Sequence, residues 1–164
     1  MWRAAVAALD VGAARVVVVL GARAGSIAPA LAGLGSVTLV VNPDWEKGLA
    51  SSLVAGLSAF LEDDSCDGVL VTLADQPLVD AAALRRLITA FDDERRIVAS
   101  AYDGTIGVPA VFGREHLHDL VRLTGDHGAG SWLRARQSEV TRVPLYSAAL
   151  DIDSPSDVAQ LSQE

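Results

Sequence analysis

Short apolar runs rich in valine alternate along this chain with stretches whose apolar residues recur every third or fourth position. The first pattern marks strands buried on both faces, the second helices with one core-facing stripe. Val16-Val17-Val18-Val19-Leu20, ended by Gly21, predicts a strand over 15–20. Val37-Thr38-Leu39-Val40-Val41, ended by Asn42-Pro43, predicts the next. Val69-Leu70-Val71-Thr72-Leu73 predicts a third and runs straight into Ala74-Asp75-Gln76-Pro77. Proline cannot donate to a ladder, so Pro77 stops that strand. Helices are predicted over 2–10, 26–34 and 48–61, the last with Leu49, Leu53, Leu57 and Leu61 on one stripe. Asp80 is a good N-cap, with Val79 and Leu84 as a hydrophobic staple, and it opens a helix whose apolar face is Leu84, Leu87, Ile88 and Phe91. Strands over 97–101 and 108–112 turn about Tyr102-Asp103-Gly104. A helix over 114–123 breaks at Gly125-Asp126-His127-Gly128; another follows over 131–137, then a strand over 140–145. Ser154-Pro155-Ser156-Asp157 opens a last helix. The alternation predicts an α/β fold with one doubly wound, mostly parallel sheet. Its opening helix is unusual, because such domains ordinarily begin with a strand.

At 164 residues a single domain is expected, spanning 1–164 and large enough for a proper core. Charge narrows the partners. Against 21 Asp+Glu there are 13 Lys+Arg, a net charge of −8, which speaks against nucleic acid and acidic membrane surfaces. Nucleotides stay open, because a metal ion can carry the positive charge. The lone Cys66 excludes an internal disulfide and a cysteine-based zinc site. No apolar run approaches the roughly 20 residues of a membrane span. Asp10 interrupts the first apolar stretch too early for a signal peptide, so the expected location is cytoplasmic.

Four stretches carry candidate chemistry. Ligands of open α/β sheets sit beyond the carboxyl ends of strands, which is where Asp75 falls. A carboxylate there can hold a hard divalent cation, or it can merely cap a turn. Gly48 with Ser51 and Ser52 at a helix start offers amides and hydroxyls to an anion, though plain capping uses the same residues. Gly104, Gly107 and Pro109 can bring backbone close to a ligand or simply shape a hairpin. Gly125 and Asp126 belong to a binding loop or a helix break. Asp151 and Asp153 share one side of an extended segment and could join Asp75 around a metal, or form a solvated edge. His127 is a weak catalytic candidate, and His116 and His118 read as surface residues.

Taken in order, Asn-Pro-x-Trp-x-x-Gly-x-x-x-Ser from Asn42, Leu-Ala-Asp-Gln-Pro from Leu73, Gly-x-x-Gly-x-Pro from Gly104, Thr-Gly-Asp-x-Gly-Ala from Thr124 and Asp-Ile-Asp-Ser-Pro-x-Asp from Asp151 resemble the MobA-like nucleotidyltransferases. Within them the chain looks most like the molybdenum cofactor cytidylyltransferases. The resemblance implies a nucleotidyltransferase-type sheet and Mg²⁺-dependent transfer of a nucleoside monophosphate from an NTP, with CTP as donor, to a phosphate of molybdopterin. It also implies a molybdoenzyme or its chaperone as partner. Carried over by residue, Asp75 and Asp153 are catalytic, and Asp75, Asp151 and Asp153 hold the metal. Asn42, Gly48, Ser51, Gln76, Gly107, Pro109, Gly125 and Asp126 form the substrate wall, with Gln76 and Pro77 shaping the turn.

Three departures stand out. The family's first strand and glycine-rich loop, Leu-Ala-Ala-Gly-x-Ser-x-Arg-x-Gly-x-x-Lys, have no counterpart in these residues, so the domain is expected to be truncated at its amino end. The usual Gly-His-Pro is Gly107-Val108-Pro109, and the arginine usual after Gly-Ala is Gly130. These leave open transfer to another phosphorylated small molecule, or a non-catalytic domain that binds a ligand or partner. In the related fold the first strand lies inside the sheet. Strands 15–20 and 69–73 are therefore expected to lose their shared neighbour, leaving the chain poorly stable or self-associating, or else to pair directly.

Overall fold

β-Branched side chains crowd the preceding turn of a helix but lie well on a pleated surface, and the valine runs accordingly form strands. A computed structural model describes residues 1–61 and 65–150. The helices are α1 (Trp2–Asp10), α2 (Ala24–Leu31), α3 (Leu49–Leu57), α4 (Ala81–Thr89), α5 (Arg114–Leu120) and α6 (Ala129–Ala135). The strands are β1 (Val16–Leu20), β2 (Val37–Val41), β3 (Gly68–Val71), β4 (Ile97–Tyr102), β5 (Thr105–Gly113) and β6 (Val140–Pro144). Short 3₁₀ turns occupy Trp45–Lys47 and Tyr146–Ala149. Among the described residues no helix is long and apolar enough to cross a membrane. The predicted last helix lies outside the described residues.

Two sheets carry the fold. β1 and β2 pair in parallel, and a four-stranded sheet runs β3-β5-β4-β6. In the latter β4 and β6 are parallel, while β5 is antiparallel to both its neighbours. The antiparallel pairing follows from a hairpin. Asp103 and Gly104 both take left-handed φ, 48° and 73°, which a tight two-residue turn of this kind requires. Register then slips between Ala99 and Ser100, which face Ala110 and Gly107, so Val108 and Pro109 bulge out of the ladder. A bulge is where proline is tolerated inside a sheet.

The helices meet expectation most closely where a cap fixes them. Asp80 Oδ1 accepts from the Ala83 amide at 2.8 Å, and Val79 and Leu84 are buried across it. α3 stops at Leu57, short of residue 61, and the Ser58 hydroxyl donates back to the Val54 carbonyl at 2.8 Å. Leu49, expected on the core stripe, is 52% exposed because the first turn of α3 lies at the sheet's carboxyl rim.

One face of the larger sheet buries Phe112, Leu117, Leu120, Trp132 and Leu133, with Phe112 and Trp132 edge to face at 5.8 Å. Its other face buries Leu84, Leu87, Val98, Val111 and Leu145. The smaller sheet rests on a far slighter cluster of Ala5, Leu20 and Leu31. Direct pairing of 15–20 with 69–73 does not occur: β1 pairs with β2 and β3 with β5. A cavity of about 640 Å³ separates them, bordered by Val17, Val19 and Leu53 on one side and Leu70, Ile88 and Phe91 on the other. The helices hold it open. α1 packs on both β1 and α4, Arg85 of α4 donates to the Asp10 carbonyl of α1, and α3 packs on β1.

Candidate active site

β3 gives way after Val71 to Thr72, Leu73, Ala74, Asp75 and Gln76, all lying beyond the strand's carboxyl end. Gln76 is 4% exposed. Its Nε2 donates to the carbonyls of Val108, at 3.2 Å, and Ala148, at 3.0 Å. Two acceptors on that side fix the amide orientation and turn Oε1 the other way. Oε1, Asp75 Oδ1 and Thr72 Oγ1 are all buried with no hydrogen-bond partner among the described residues. A buried acceptor left unmade costs about 1–3 kcal/mol. Three within five consecutive residues mark a place built to receive a cation or a donor. The amino group of Met1 donates to the Ala74 carbonyl, beside Asp75, at 3.2 Å.

A second wall forms where β2 enters α3. Asn42, 4% exposed, donates through Nδ2 to the hydroxyls of Ser51 and Ser52, at 2.9 and 3.0 Å. Its Oδ1 accepts the Asp44 amide at 2.9 Å. Ser51 in turn faces the Gly48 carbonyl at 2.8 Å and that of Asp44 at 3.0 Å. Gly48, at φ 107°, packs against the loop before α6; a Cβ there would lie 2.5 Å from Gly125 carbonyl atoms and 2.6 Å from Asp126 Oδ1. The Ala50 amide donates to Gly125 O at 3.1 Å. Five predicted wall residues, Asn42, Gly48, Ser51, Gly125 and Asp126, therefore meet at one junction. Asn42 and Ser51 spend their polar atoms on the scaffold, which shapes this wall and leaves Asp126 and half-exposed Trp45 facing solvent.

The cavity between the sheets connects the two walls, lined by Leu49 and Ser52 from α3, Thr72 and Ala74 from the β3 exit, and Gly130 from α6. Gly107 and Pro109 stand apart from it. Both are buried in β5, Gly107 under the Tyr102 hydroxyl, with the Pro109 carbonyl accepting from Ser100 Oγ at 2.6 Å. They set the bulge that Gln76 grips through Val108. His116 bonds the Arg95 carbonyl at 2.9 Å, and His118 and His127 are exposed. Asp151 and Asp153 lie outside the described residues. Among those described, no three His, Cys, Asp or Glu side chains come together to hold a metal. Asp75 stands as a single carboxylate beside neutral oxygen donors, a hard-ligand set suited to a divalent cation.

Thr72 is absent from the sequence-derived site, and Ser52 enters it only as a helix-start hydroxyl. A lone hydroxyl late in an apolar strand is the signal for Thr72.

Residues 1–140 match the model of the MobA-like NTP transferase domain. The chain belongs to that family. Nicotine blue oxidoreductase of Paenarthrobacter nicotinovorans is 34% identical over 161 residues, covering 92% of this MobA-like domain's chain and 76% of the relative. Rv0371c of Mycobacterium tuberculosis H37Rv, in complex with manganese, is 29% identical with a TM-score of 0.76, over 96% of this chain and 85% of that one. A nucleotidyl transferase from Methanothermobacter thermautotroptrophicus, Mth528, reaches a TM-score of 0.77 at 26% identity, over 98% and 77%. The MobA-like domain thus has the mixed α/β architecture of nucleotidyltransferases.

Proposed function

We propose that this domain transfers a nucleoside monophosphate from an NTP, with CTP as donor, to a phosphate of a molybdopterin-type cofactor in the cytoplasm. A molybdoenzyme or its chaperone then receives the product. The observation that carries the reading is Asp75: a carboxylate oxygen buried at the exit of β3 with no partner among the described residues, in a chain of the MobA-like family. The acceptor phosphate is already an anion, so no strong general base is needed. Its oxygen forms a bond to the α-phosphorus, the bond to the β-phosphate oxygen breaks, and pyrophosphate departs with the electron pair. Bound Mg²⁺ would offset the charge of the phosphates and of the leaving pyrophosphate. Asp75 would hold it with Asp151 and Asp153, and the manganese bound by the mycobacterial relative favours a divalent site.

The chain's own residues then hold and orient. Gln76 ties the β3 exit to the β5 bulge and to the turn ahead of Asp151, fixing where Asp75 stands. Asn42 and Ser51 hold the mouth of α3 against Gly125 and Asp126, giving substrate a rigid wall. Calorimetry with Mg-CTP and Mg-GTP tests the reading. Asp75→Ala should lose metal-dependent binding at an unchanged melting temperature, and Asp153→Asn should lower pyrophosphate release with molybdopterin. Equal Mg-CTP affinity for the parent and Asp75→Ala would make the residue structural and remove the proposal.

Val108 and Gly130 favour a transferase acting on another phosphorylated small molecule, whereas a second reading, a redox domain, is favoured by the 34% identical oxidoreductase alone. Conversion of nicotine blue with a reduced cofactor, without nucleotide turnover, would establish it instead.

A further inference from the structure

Trp45 is a large apolar side chain in an otherwise polar stretch, Asn42-Pro43-Asp44-Trp45-Glu46-Lys47. It opens the 3₁₀ turn between β2 and α3 and stays 42% exposed. The turn beneath it is fixed. The Trp45 carbonyl accepts the Gly48 amide at 3.3 Å, and the Asp44 carbonyl accepts the Lys47 amide at 2.9 Å and Ser51 Oγ at 3.0 Å. The root of the indole rests on bare backbone. A Cβ at Gly21, just past β1, would lie 2.7 Å from Trp45 Cβ and 3.0 Å from Cγ. An aromatic ring rooted this way is a preformed stacking platform, because little rotamer freedom remains to be lost on binding.

A carboxylate stands at the same turn. Asp126 Oδ1 is 2.6 Å from where a Gly48 Cβ would lie, and Gly48 is the residue bonded to Trp45. Among the described residues the Asp126 carboxylate has no hydrogen bond or ion pair, whereas that of Asp44 is taken by Lys47 at 2.9 Å. We propose that Trp45 and Asp126 form the subsite for the acceptor's pterin ring, the indole stacking on the ring and the carboxylate accepting from its pyrimidine edge. This rests on the transferase reading and names the group that its acceptor site grips.

Chemistry selects the ring. Trp45 alone would take any planar heterocycle, since each has a π-face. Asp126 discriminates. An ionised carboxylate only accepts, through two oxygens side by side. Pterin offers it a ring N–H beside an exocyclic amino group, two parallel donors, as guanine does. Cytosine offers one amino group next to a ring nitrogen whose lone pair the carboxylate repels. With CTP as donor, the ring that matches is the acceptor's. Negative charge on Asp126 and on exposed Glu46 disfavours phosphate at this end, which leaves the phosphates to the metal proposed at Asp75.

Equilibrium dialysis of the whole chain tests this with two probes. Pterin carries an amino group between its two pyrimidine nitrogens, and lumazine carries a carbonyl there. The parent should hold pterin about tenfold or more tighter than lumazine, and Asp126→Asn should erase or reverse that preference. Trp45→Leu should weaken both probes about tenfold or more, while Trp45→Phe keeps most of the binding. Trp45→Leu should also cost pterin more affinity than it costs Mg-CTP in calorimetry. No pterin binding by the parent, or the same preference in the parent and Asp126→Asn, overturns the proposal. A greater loss of Mg-CTP than of pterin in Trp45→Leu gives the platform to the donor's base and overturns it too. The transferase reading fails separately. Pterin selectivity that depends on Asp126, with Mg-CTP affinity indifferent to Asp75→Ala, keeps the pterin subsite and removes the reaction.

Discussion

Gln76 holds more of this molecule together than its place in the sequence reveals. Its Nε2 bridges carbonyls 32 and 72 residues away, at Val108 and Ala148. Gln76→Ala should cost about 2 kcal/mol or more, since two buried carbonyls lose their donor. Gln76→Glu should cost more still, because it aims a carboxylate oxygen at those carbonyls. Denaturant midpoints of the two variants check the order, and the reverse order would remove the clamp. Asp75 can be read from the sequence because an acid closing a valine-rich strand is conspicuous. Gln76 reads there as a wall and turn residue, and its clamp stays hidden, since partners so distant leave no local mark. Asp75→Asn should unfold no lower than the parent, because the carboxylate oxygen it replaces has no partner to lose among the described residues.

Two glycines separate the requirement for a bare backbone from mere tolerance of it. At Gly48 the φ of 107° and the 2.5 Å approach of Gly125 carbonyl atoms leave no room for a methyl group. Gly48→Ala should destabilise by about 2 kcal/mol or more and loosen the junction of α3 with the loop before α6. Gly130 lies inside α6, where an added Cβ meets the flexible end of Arg134 at 3.2 Å. Gly130→Ala should be neutral or stabilise by up to about 1 kcal/mol through helix propensity. Thermal unfolding of both variants decides whether the distinction is real. Element positions follow well from the sequence wherever punctuation is local, as with the Asp80 cap and the Asp103-Gly104 turn. Helix lengths follow less well. α3 ends where Ser58 bonds back to Val54, and an apolar stripe continuing to Leu61 conceals that end.

The whole molecule is unevenly secured. The four-stranded sheet lies between two substantial clusters, whereas β1 and β2 rest on little more than Ala5, Leu20 and Leu31. A two-stranded sheet is marginal without such support. Native-state hydrogen exchange should therefore find β1, α2 and β2 opening together at a lower free energy than β4 and β5. A single uniform value across both sheets would show them to be one cooperative unit. Family and α/β character are evident in the sequence because the motifs recur at strand ends in a fixed order. The lost neighbour of β1 and β3 is legible there too, through the family resemblance; that the gap stays open as a cavity is not, since the helix packing that holds it leaves no local mark in Val16–Leu20 or Gly68–Val71.

The edge-to-face pair of Phe112 and Trp132 gives the larger sheet an optical reporter of its own. Trp132 is buried, whereas Trp2 and Trp45 are 53% and 42% exposed. A water-soluble quencher should therefore silence the exposed indoles first and leave an emission that follows the four-stranded sheet alone.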